Sequence, residues 1–134
     1  MINFKPILRL SMLIFITFNA EGTAYKASKP ILQQLGKASW YGNYFKGKRT
    51  TSGQVFNPAH FTVAHPTLPL NSWVKIINLE NNRSAIARVN DRLPKKSMHK
   101  VIVDVSLKVA QKLAFVKQGI ARVKLECYGH SYPL

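Results

Sequence analysis

The sequence predicts an all-β domain, a small barrel or sandwich that carries one short helix. Its 134 residues, 46% of them hydrophobic, provide one core but not two. Six short segments rich in Val, Ile, Thr and aromatic residues are each bounded by Gly, Pro, Asn or Asp, and this spacing is typical of a barrel or sandwich rather than a parallel α/β sheet. The six segments read KASWYG, FTVAH, SWVKIINL, SAIARVN, KVIVDVS and IARVKLEC.

Residues 1–24 have the pattern of a secretory signal peptide. Lys5 and Arg9 precede the apolar run LSMLIFITF, and small or polar residues follow it. Cleavage after Ala24 fits better than cleavage after Ala20, because it places small residues at both recognition positions. An uncleaved anchor helix or a buried core helix is the alternative, but the apolar run is too short for a full bilayer span. We therefore expect an exported, soluble protein of the periplasm or cell envelope, with no transmembrane segment after cleavage.

The remaining chain divides into three parts. Residues 25–35 show neither periodicity nor turn signals and are predicted to be a linker or N-terminal arm. The barrel is predicted over residues 36–128, and residues 129–134 form a C-terminal tail. We expect neither a lipid anchor nor a further repeat domain, because no cysteine follows the apolar run and the chain ends just after the barrel.

Two local patterns refine the fold. Segments 73–78 and 84–89 are predicted to pair as a hairpin, because the intervening LENNRS contains two asparagines that tolerate positive φ. Residues 106–116 are predicted to be the helix, since their apolar side chains fall on one helical face. Ser106 is the expected N-cap, and Gly119 follows the end of the helix.

The charge of the chain predicts an acidic partner. It contains 20 Lys and Arg against 5 Asp and Glu, and such a chain associates with polyanions. Because the leader indicates export, we expect acidic envelope polymers and no nucleic acid. The basic residues expected to flank a groove, or alternatively to form a solvated face, are Lys46, Lys48, Arg49, Lys95, Lys96 and Lys100.

The sequence contains none of the motifs that bind metals, phosphates or redox cofactors. Its four histidines are scattered and its carboxylates few, so we expect no metal and no cofactor. Cys127 is the single cysteine, so no intrachain disulfide can form, and we expect it to be a small buried hydrophobe.

One carboxylate lies in an unusual setting. Asp91, in VNDRLP, ends a predicted strand between Asn90 and Arg92 and leads into Pro94, which restricts the loop. It can close an Asx-type turn or take part in catalysis, and local sequence leaves both readings open. Asp104 lies two residues before the predicted helix and is expected to bond free amide groups there.

Several blocks in order resemble the rare lipoprotein A (RlpA) family: GKASWYGNYFKGKRTTSGQVFN, FTVAHPTLPLNSWVKIINLENNRS, ARVNDRLP and VIVDVSLKVAQKL. The resemblance covers about residues 36–126. It implies a six-stranded double-psi β-barrel with a glycan-binding groove, and we expect a monomer. It also implies a lytic transglycosylase that cuts peptidoglycan strands lacking stem peptides and leaves 1,6-anhydro-N-acetylmuramic acid ends. Such an enzyme suits a chain with few carboxylates, because the sugar's own 6-hydroxyl attacks and one acid/base group can suffice.

The resemblance also implies the site residues. Asp91 is the candidate general acid/base, and His65 is expected to position the substrate or tune that acid. The aromatic pair in SWYG is expected either to stack on a sugar ring or to lie in the core. The expected substrate-binding residues are Trp40, Tyr41, Thr51, Ser52, Gln54, Asn90 and Arg92.

Two positions depart from the family pattern. Gln54 stands where the family usually has glutamate, and an amide cannot transfer a proton at neutral pH. Leu93 stands where the family loop usually has glycine, so any positive-φ geometry there would be strained or altered. The alternative function is therefore a non-catalytic, expansin-like module that binds peptidoglycan glycan without cutting it.

Overall fold

The computed structural model describes residues 17–18, 24–25, 28–97 and 99–133. One helix, α1, spans Leu107–Lys112, and short 3₁₀ turns span Asn43–Phe45 and Lys95–Ser97. The strands are β1 Thr17–Phe18, β2 Ala24–Tyr25, β3 Leu32–Trp40, β4 Thr62–Ala64, β5 Trp73–Asn78, β6 Ser84–Asp91, β7 Val103–Val105 and β8 Ile120–Gly129.

Strands β3 to β8 close into a barrel in the order β3-β7-β4-β6-β5-β8. The β3·β7 and β4·β6 pairs are parallel, and the other four are antiparallel. The predicted all-β fold, a six-stranded double-psi barrel with one short helix, is confirmed. Its topology places β4 between β6 and β7, and this arrangement builds the site described below.

The first barrel strand begins earlier than the predicted domain boundary. β3 starts at Leu32, so the last residues of the predicted arm over 25–35 belong to the barrel. The side chains at the start of β3 show no periodic apolar pattern that would mark a strand. Its backbone nevertheless pairs with β8 from Leu32, opposite Cys127, onward. Of the predicted leader only β1 and the first residue of β2, Ala24, are described, and the two strands pair with each other. The remainder of the predicted signal peptide lies outside the described residues.

The predicted hairpin is confirmed. β5 and β6 pair from Trp73 opposite Arg88 to Ile77 opposite Ser84. In the connecting turn Asn82 adopts a φ of 61°, a conformation that asparagine tolerates better than most residues.

The helix is confirmed but is shorter than predicted. The side chain of Ser106 accepts a 3.3 Å hydrogen bond from the Val109 amide and caps the first turn. The helix ends at Lys112, and Ala114 then adopts a φ of 56°. The carbonyl of Leu113 accepts hydrogen bonds from two asparagine side chains of the β5–β6 turn. The chain leaves the helix here because this carbonyl is held by the barrel.

The core fills the interior of the barrel with small and medium apolar side chains, and α1 closes it on one side. Cys127 is buried and free, as predicted. Among the described residues no helix is long and apolar enough to cross a membrane. Fully buried side chains include Val63, Val74, Ile76, Val89, Val103, Val105, Val109, Leu113, Phe115, Val123 and Leu125.

Candidate active site

A cleft of about 280 Å³ opens where β6 ends beside β4 and β7. It contains two carboxylates, a guanidinium and an aromatic wall. A second cavity, of about 270 Å³, lies on the outer face of the β5–β6 hairpin, but no carboxylate lines it. The first cleft is therefore the candidate site, and its lining residues are Tyr41, Phe45, Ala64, Asp91, Arg92, Leu93, Pro94 and Asp104.

Asp91 lies in this cleft, half-buried at the end of β6. Its Oδ1 atom accepts hydrogen bonds from the Thr51 hydroxyl at 2.7 Å, the Thr51 amide at 3.0 Å and the Arg92 amide at 2.8 Å. Within the described chain no hydrogen bond involves Oδ2. One oxygen therefore fixes the carboxylate, and the other is free to meet a ligand.

The turn over residues 50–54 holds Asp91 in place. Gly53, at a φ of 84°, lets the turn close, and the Thr50 amide donates to the Gln54 carbonyl at 2.8 Å. The Ser52 amide then donates to the Asn90 carbonyl at 3.1 Å, so the turn is pinned to the end of β6. Backbone contacts thus bring the TTSGQ and VNDR segments together.

A β-bulge decides which side chain enters the cleft. Val63 pairs with Val89, but the register shifts and Ala64 pairs with Asp91. Bulges commonly re-aim side chains beside active sites. Here Asp91 comes to lie beside Ala64, while Asn90 turns inward and is buried.

Asp104 is the second carboxylate of the cleft, and the sequence analysis did not place it there. It pairs with Ala64 from the other side, on β7, and its Oδ1 accepts a 3.0 Å hydrogen bond from the Ser39 hydroxyl. The prediction that it bonds free helix amides is wrong, because Ser106 caps the helix instead. The alternation in VDV was the available signal: Val103 and Val105 point into the core, so the aspartate between them faces outward.

Burial raises the pKa of Asp104 to about 6. The negative charge of Asp91 acts in the same direction, whereas the hydrogen bond from Ser39 partly offsets the rise. A carboxyl group with this pKa is protonated in an appreciable fraction of molecules near neutral pH. The cleft therefore contains a group able to donate a proton.

The aromatic pair in SWYG divides between core and cleft. The Trp40 indole donates to the Val116 carbonyl at 3.2 Å and packs against the core. Tyr41 lies beneath the cleft against Phe56, with 4.6 Å between ring centres. Burial raises the pKa of its phenol, and the nearby Thr62 hydroxyl partly offsets the rise. Phe45, 46% exposed, forms the outer wall.

His65 is fully buried and does not line the cleft. Its Nδ1 accepts hydrogen bonds from the Thr67 and Leu68 amides at 3.1 and 3.0 Å. We therefore assign the proton to Nε2, which donates to Gln34 Oε1 at 2.9 Å. Burial, with a smaller contribution from Arg92, lowers the pKa of His65 to about 4. The neutral ring holds the loop after β4, and its backbone amide donates to the Asp91 carbonyl.

Arg92 braces the same loop while lining the cleft. Its Nη1 donates to the carbonyl of Leu68 at 2.6 Å and to that of His65 at 3.3 Å. The ion pairs found in the described chain involve Glu80 and Glu126, so Arg92 is not paired with Asp91 there.

The two departures from the family pattern lie in different places, Gln54 outside the cleft lining and Leu93 within it. Gln54 is exposed, does not line the cleft, and accepts a 3.4 Å hydrogen bond from the Asn90 side chain. Leu93 lies among the cleft residues and packs on Tyr41 and its neighbours. It is not among the described residues of positive φ, so the expected strain at this position is not found.

The predicted basic residues are all exposed. Lys48 lies on the loop of the aromatic wall, with its Nζ 3.5 Å from the ring centre of Tyr44. In the described part of the chain, no three His, Cys, Asp or Glu side chains gather into a group that could hold a metal ion.

The fold is that of a double-psi β-barrel, and a family model described as "Lytic transglycolase" matches residues 33–125. The chain belongs to the RlpA family. It is 47% identical over 113 residues to a Rickettsia bellii protein, covering 81% of this chain and 49% of the relative. A Neisseria meningitidis protein is 43% identical over 112 residues, covering 82% and 46%. Both relatives are named endolytic peptidoglycan transglycosylase RlpA, and the chain spans about half the length of each.

Solved structures support the fold. A Streptomyces papain inhibitor superposes with a TM-score of 0.58 at 20% identity, covering 75% of this chain and 97% of that one. A mutant Clavibacter michiganensis expansin in complex with cellohexaose also gives a TM-score of 0.58, at 11% identity, covering 77% and 54%. At such identities the likeness concerns the barrel alone.

Proposed function

We propose that this protein is an endolytic peptidoglycan lytic transglycosylase. It cuts glycan strands that lack stem peptides and leaves 1,6-anhydro-N-acetylmuramic acid ends. The observation that carries the proposal is the setting of Asp91, with one oxygen held by three donors and the other free in the cleft. The printed activity of the relatives agrees with it.

The remaining cleft residues suit a glycan with a free lactyl group. Tyr41 and Phe45 offer an apolar wall on which a sugar ring can stack. Removal of the stem peptide leaves a carboxylate on each muramic acid, and Arg92 supplies a positive charge at the same cleft. This complementarity accounts for a preference for strands without stem peptides.

The non-catalytic alternative depended on Gln54. That side chain bonds Asn90 at the rim and does not line the cleft, so its neutral amide removes no carboxylate from the site. Both cleft carboxylates are present in this chain. Catalysis is therefore the better reading of the site.

The test compares glycan strands stripped by an amidase with the same strands carrying stem peptides. The purified protein is incubated with each, and soluble products are analysed by mass spectrometry. We expect anhydro-muramyl ends from the stripped strands, at least 100-fold fewer with Asp91→Asn, and unchanged release with the matched control Glu80→Gln. Retained binding without any product would instead identify a glycan-binding module.

We further propose that the protein is exported to the cell envelope and meets other acidic polymers there. The net charge of +15 favours such contacts through long-range attraction that salt screens. Glycan binding should weaken as ionic strength rises from 0.02 to about 0.3 M, a range over which the Debye length falls severalfold. Binding that is insensitive to salt would contradict this electrostatic component.

A further inference from the structure

We propose that Asp104 is the general acid of the cleft and that Asp91 accepts the proton of the attacking hydroxyl. The inference rests on the proposed function and assigns the two proton transfers to separate carboxylates. Nothing in the sequence pattern singled out Asp104 for this role.

Position is the first argument. Asp91 and Asp104 are the cross-strand neighbours of Ala64 on β6 and β7 respectively. Residues paired in this way project to the same face of a sheet, and their Cα atoms are about 10 Å apart, two strand spacings. Alanine between them leaves room for a glycosidic linkage, and both carboxylates line the same cleft.

The hydrogen bonds distinguish the two groups. Asp91 Oδ1 accepts from three donors, which fix the orientation of this carboxylate. Asp104 accepts from the Ser39 hydroxyl, and this bond and the Val105 backbone favour its ionised form, but burial outweighs both and raises its pKa to about 6, so it stays protonated to a higher pH than an ordinary aspartate. A pair of carboxyl groups whose environments differ in this way is the usual arrangement of an acid and a base.

The proposed reaction requires neither water nor a co-reactant. Asp104 donates its proton to the glycosidic oxygen as the bond from that oxygen to C1 of muramic acid breaks. The 6-hydroxyl of the same sugar bonds to C1, closes the anhydro ring, and passes its proton to Asp91. The products are an anhydro end and a free 4-hydroxyl, and proton exchange with solvent resets the pair.

The other charged and titratable groups around Asp104 define its environment. Tyr41, on the chain after β3, has a phenol whose pKa is raised by burial. Arg92 follows β6 and lines the same cleft, with its Nη1 bonded to the His65 and Leu68 carbonyls. Asp91 is the one other carboxylate lining the cleft.

The Ser39 hydrogen bond allows a test that distinguishes an acid role of Asp104 from a purely structural one. Because this bond lowers the pKa of Asp104, Ser39→Ala should raise it. The alkaline limb of the kcat profile, along which the acid loses its proton, should then move to higher pH by about half a unit or more. Ser39→Thr should restore the wild-type limb, and Ser84→Ala, on the outer face of β6, should leave it unmoved.

The experiment measures kcat for anhydro-end release from pH 4.5 to 8.5 and follows the ¹³C signals of the aspartate carboxyl groups in the free protein. We expect Asp104 to titrate near pH 6 in wild type and higher in Ser39→Ala, with Asp104→Asn at least 1,000-fold slower but still able to bind glycan. Suppose that the wild-type protein is active. If Asp104→Asn then has an unaltered rate, or if the alkaline limb does not move in Ser39→Ala, the assignment of Asp104 is overturned and the proposed function is not. Absence of anhydro ends from the wild-type protein would overturn the proposed function as well.

Discussion

Asp91 and Asp104 flank Ala64 from opposite sides, one on β6 and the other on β7. These two strands are not neighbours of each other, because β4 lies between them. The barrel order thus brings into one cleft two carboxylates that are 13 positions apart in the chain. Their proximity raises the pKa of Asp104 beyond the effect of burial.

The stability of the protein should depend on pH through two opposing groups. Asp104 has a pKa raised from 3.8 to about 6, so its contribution is present below pH 4 and is lost as the pH rises through 6. His65 has a pKa lowered from 6.5 to about 4, so its contribution is present above pH 6.5 and is lost as the pH falls through 4. Each shift corresponds to about 3 kcal/mol, and the two should largely cancel.

Asp104→Asn should reveal the contribution of His65 to the pH dependence of stability. We expect the free energy of unfolding of this variant to fall by about 3 kcal/mol more than that of wild type between pH 6.5 and 4. Urea denaturation at several pH values provides the measurement, with Glu80→Gln as the control. Parallel pH profiles for wild type and Asp104→Asn would show that Asp104 is not perturbed.

Thr51→Val should impair catalysis without unfolding the protein. The substitution removes the 2.7 Å hydroxyl bond to Asp91 and keeps the amide bond. A hydrogen bond to a charged group contributes about 1.5–3 kcal/mol, so kcat/KM should fall by about 10- to 100-fold. Thr67→Val, at another exposed threonine, is the control. A rate within twofold of wild type would mean that the Thr51 hydroxyl does not position Asp91.

Gln54→Glu should change the rate of anhydro-end release by less than about threefold. The carboxylate can accept the Asn90 hydrogen bond as the amide does, and this side chain does not line the cleft. Gln118→Glu, at an exposed site beyond α1, controls for the added charge. A gain of 10-fold or more would mean that position 54 takes part in proton transfer.

Phe45→Ala should weaken glycan binding by about 10-fold. The ring forms the outer wall of the cleft, and stacking of an aromatic ring on a ligand contributes on the order of 1 kcal/mol. Phe61→Ala removes a ring of similar exposure from the outer face of the hairpin. Titration with stripped glycan strands measures the affinity of both variants. Equal losses of affinity would show that Phe45 is not a specific stacking surface for the sugar.

Local sequence was sufficient for several features of the fold. The asparagines of LENNRS marked the hairpin turn, and Ser106 marked the helix start. Each depends on contacts within a few residues, for which backbone preference is the deciding term.

Features that depend on strand order were beyond local reasoning. Asp91 and Asp104 line the same cleft because β4 lies between their strands and pairs with both of them. The bulge before Ala64 decides that Asp91 rather than Asn90 enters the cleft. The burial of His65 likewise depends on Gln34, 31 positions earlier, which supplies its partner. Trp40 and Tyr41 are adjacent in sequence, and only the direction of β3 assigns one to the core and the other to the cleft.

The most direct test of the central claim is digestion of stripped glycan strands in water enriched in ¹⁸O, followed by mass spectrometry of the new ends. An intramolecular attack by the 6-hydroxyl consumes no water. We therefore predict anhydro-muramyl ends free of ¹⁸O from the wild-type protein and none from Asp91→Asn. Reducing ends that carry ¹⁸O would identify a hydrolase and contradict the account.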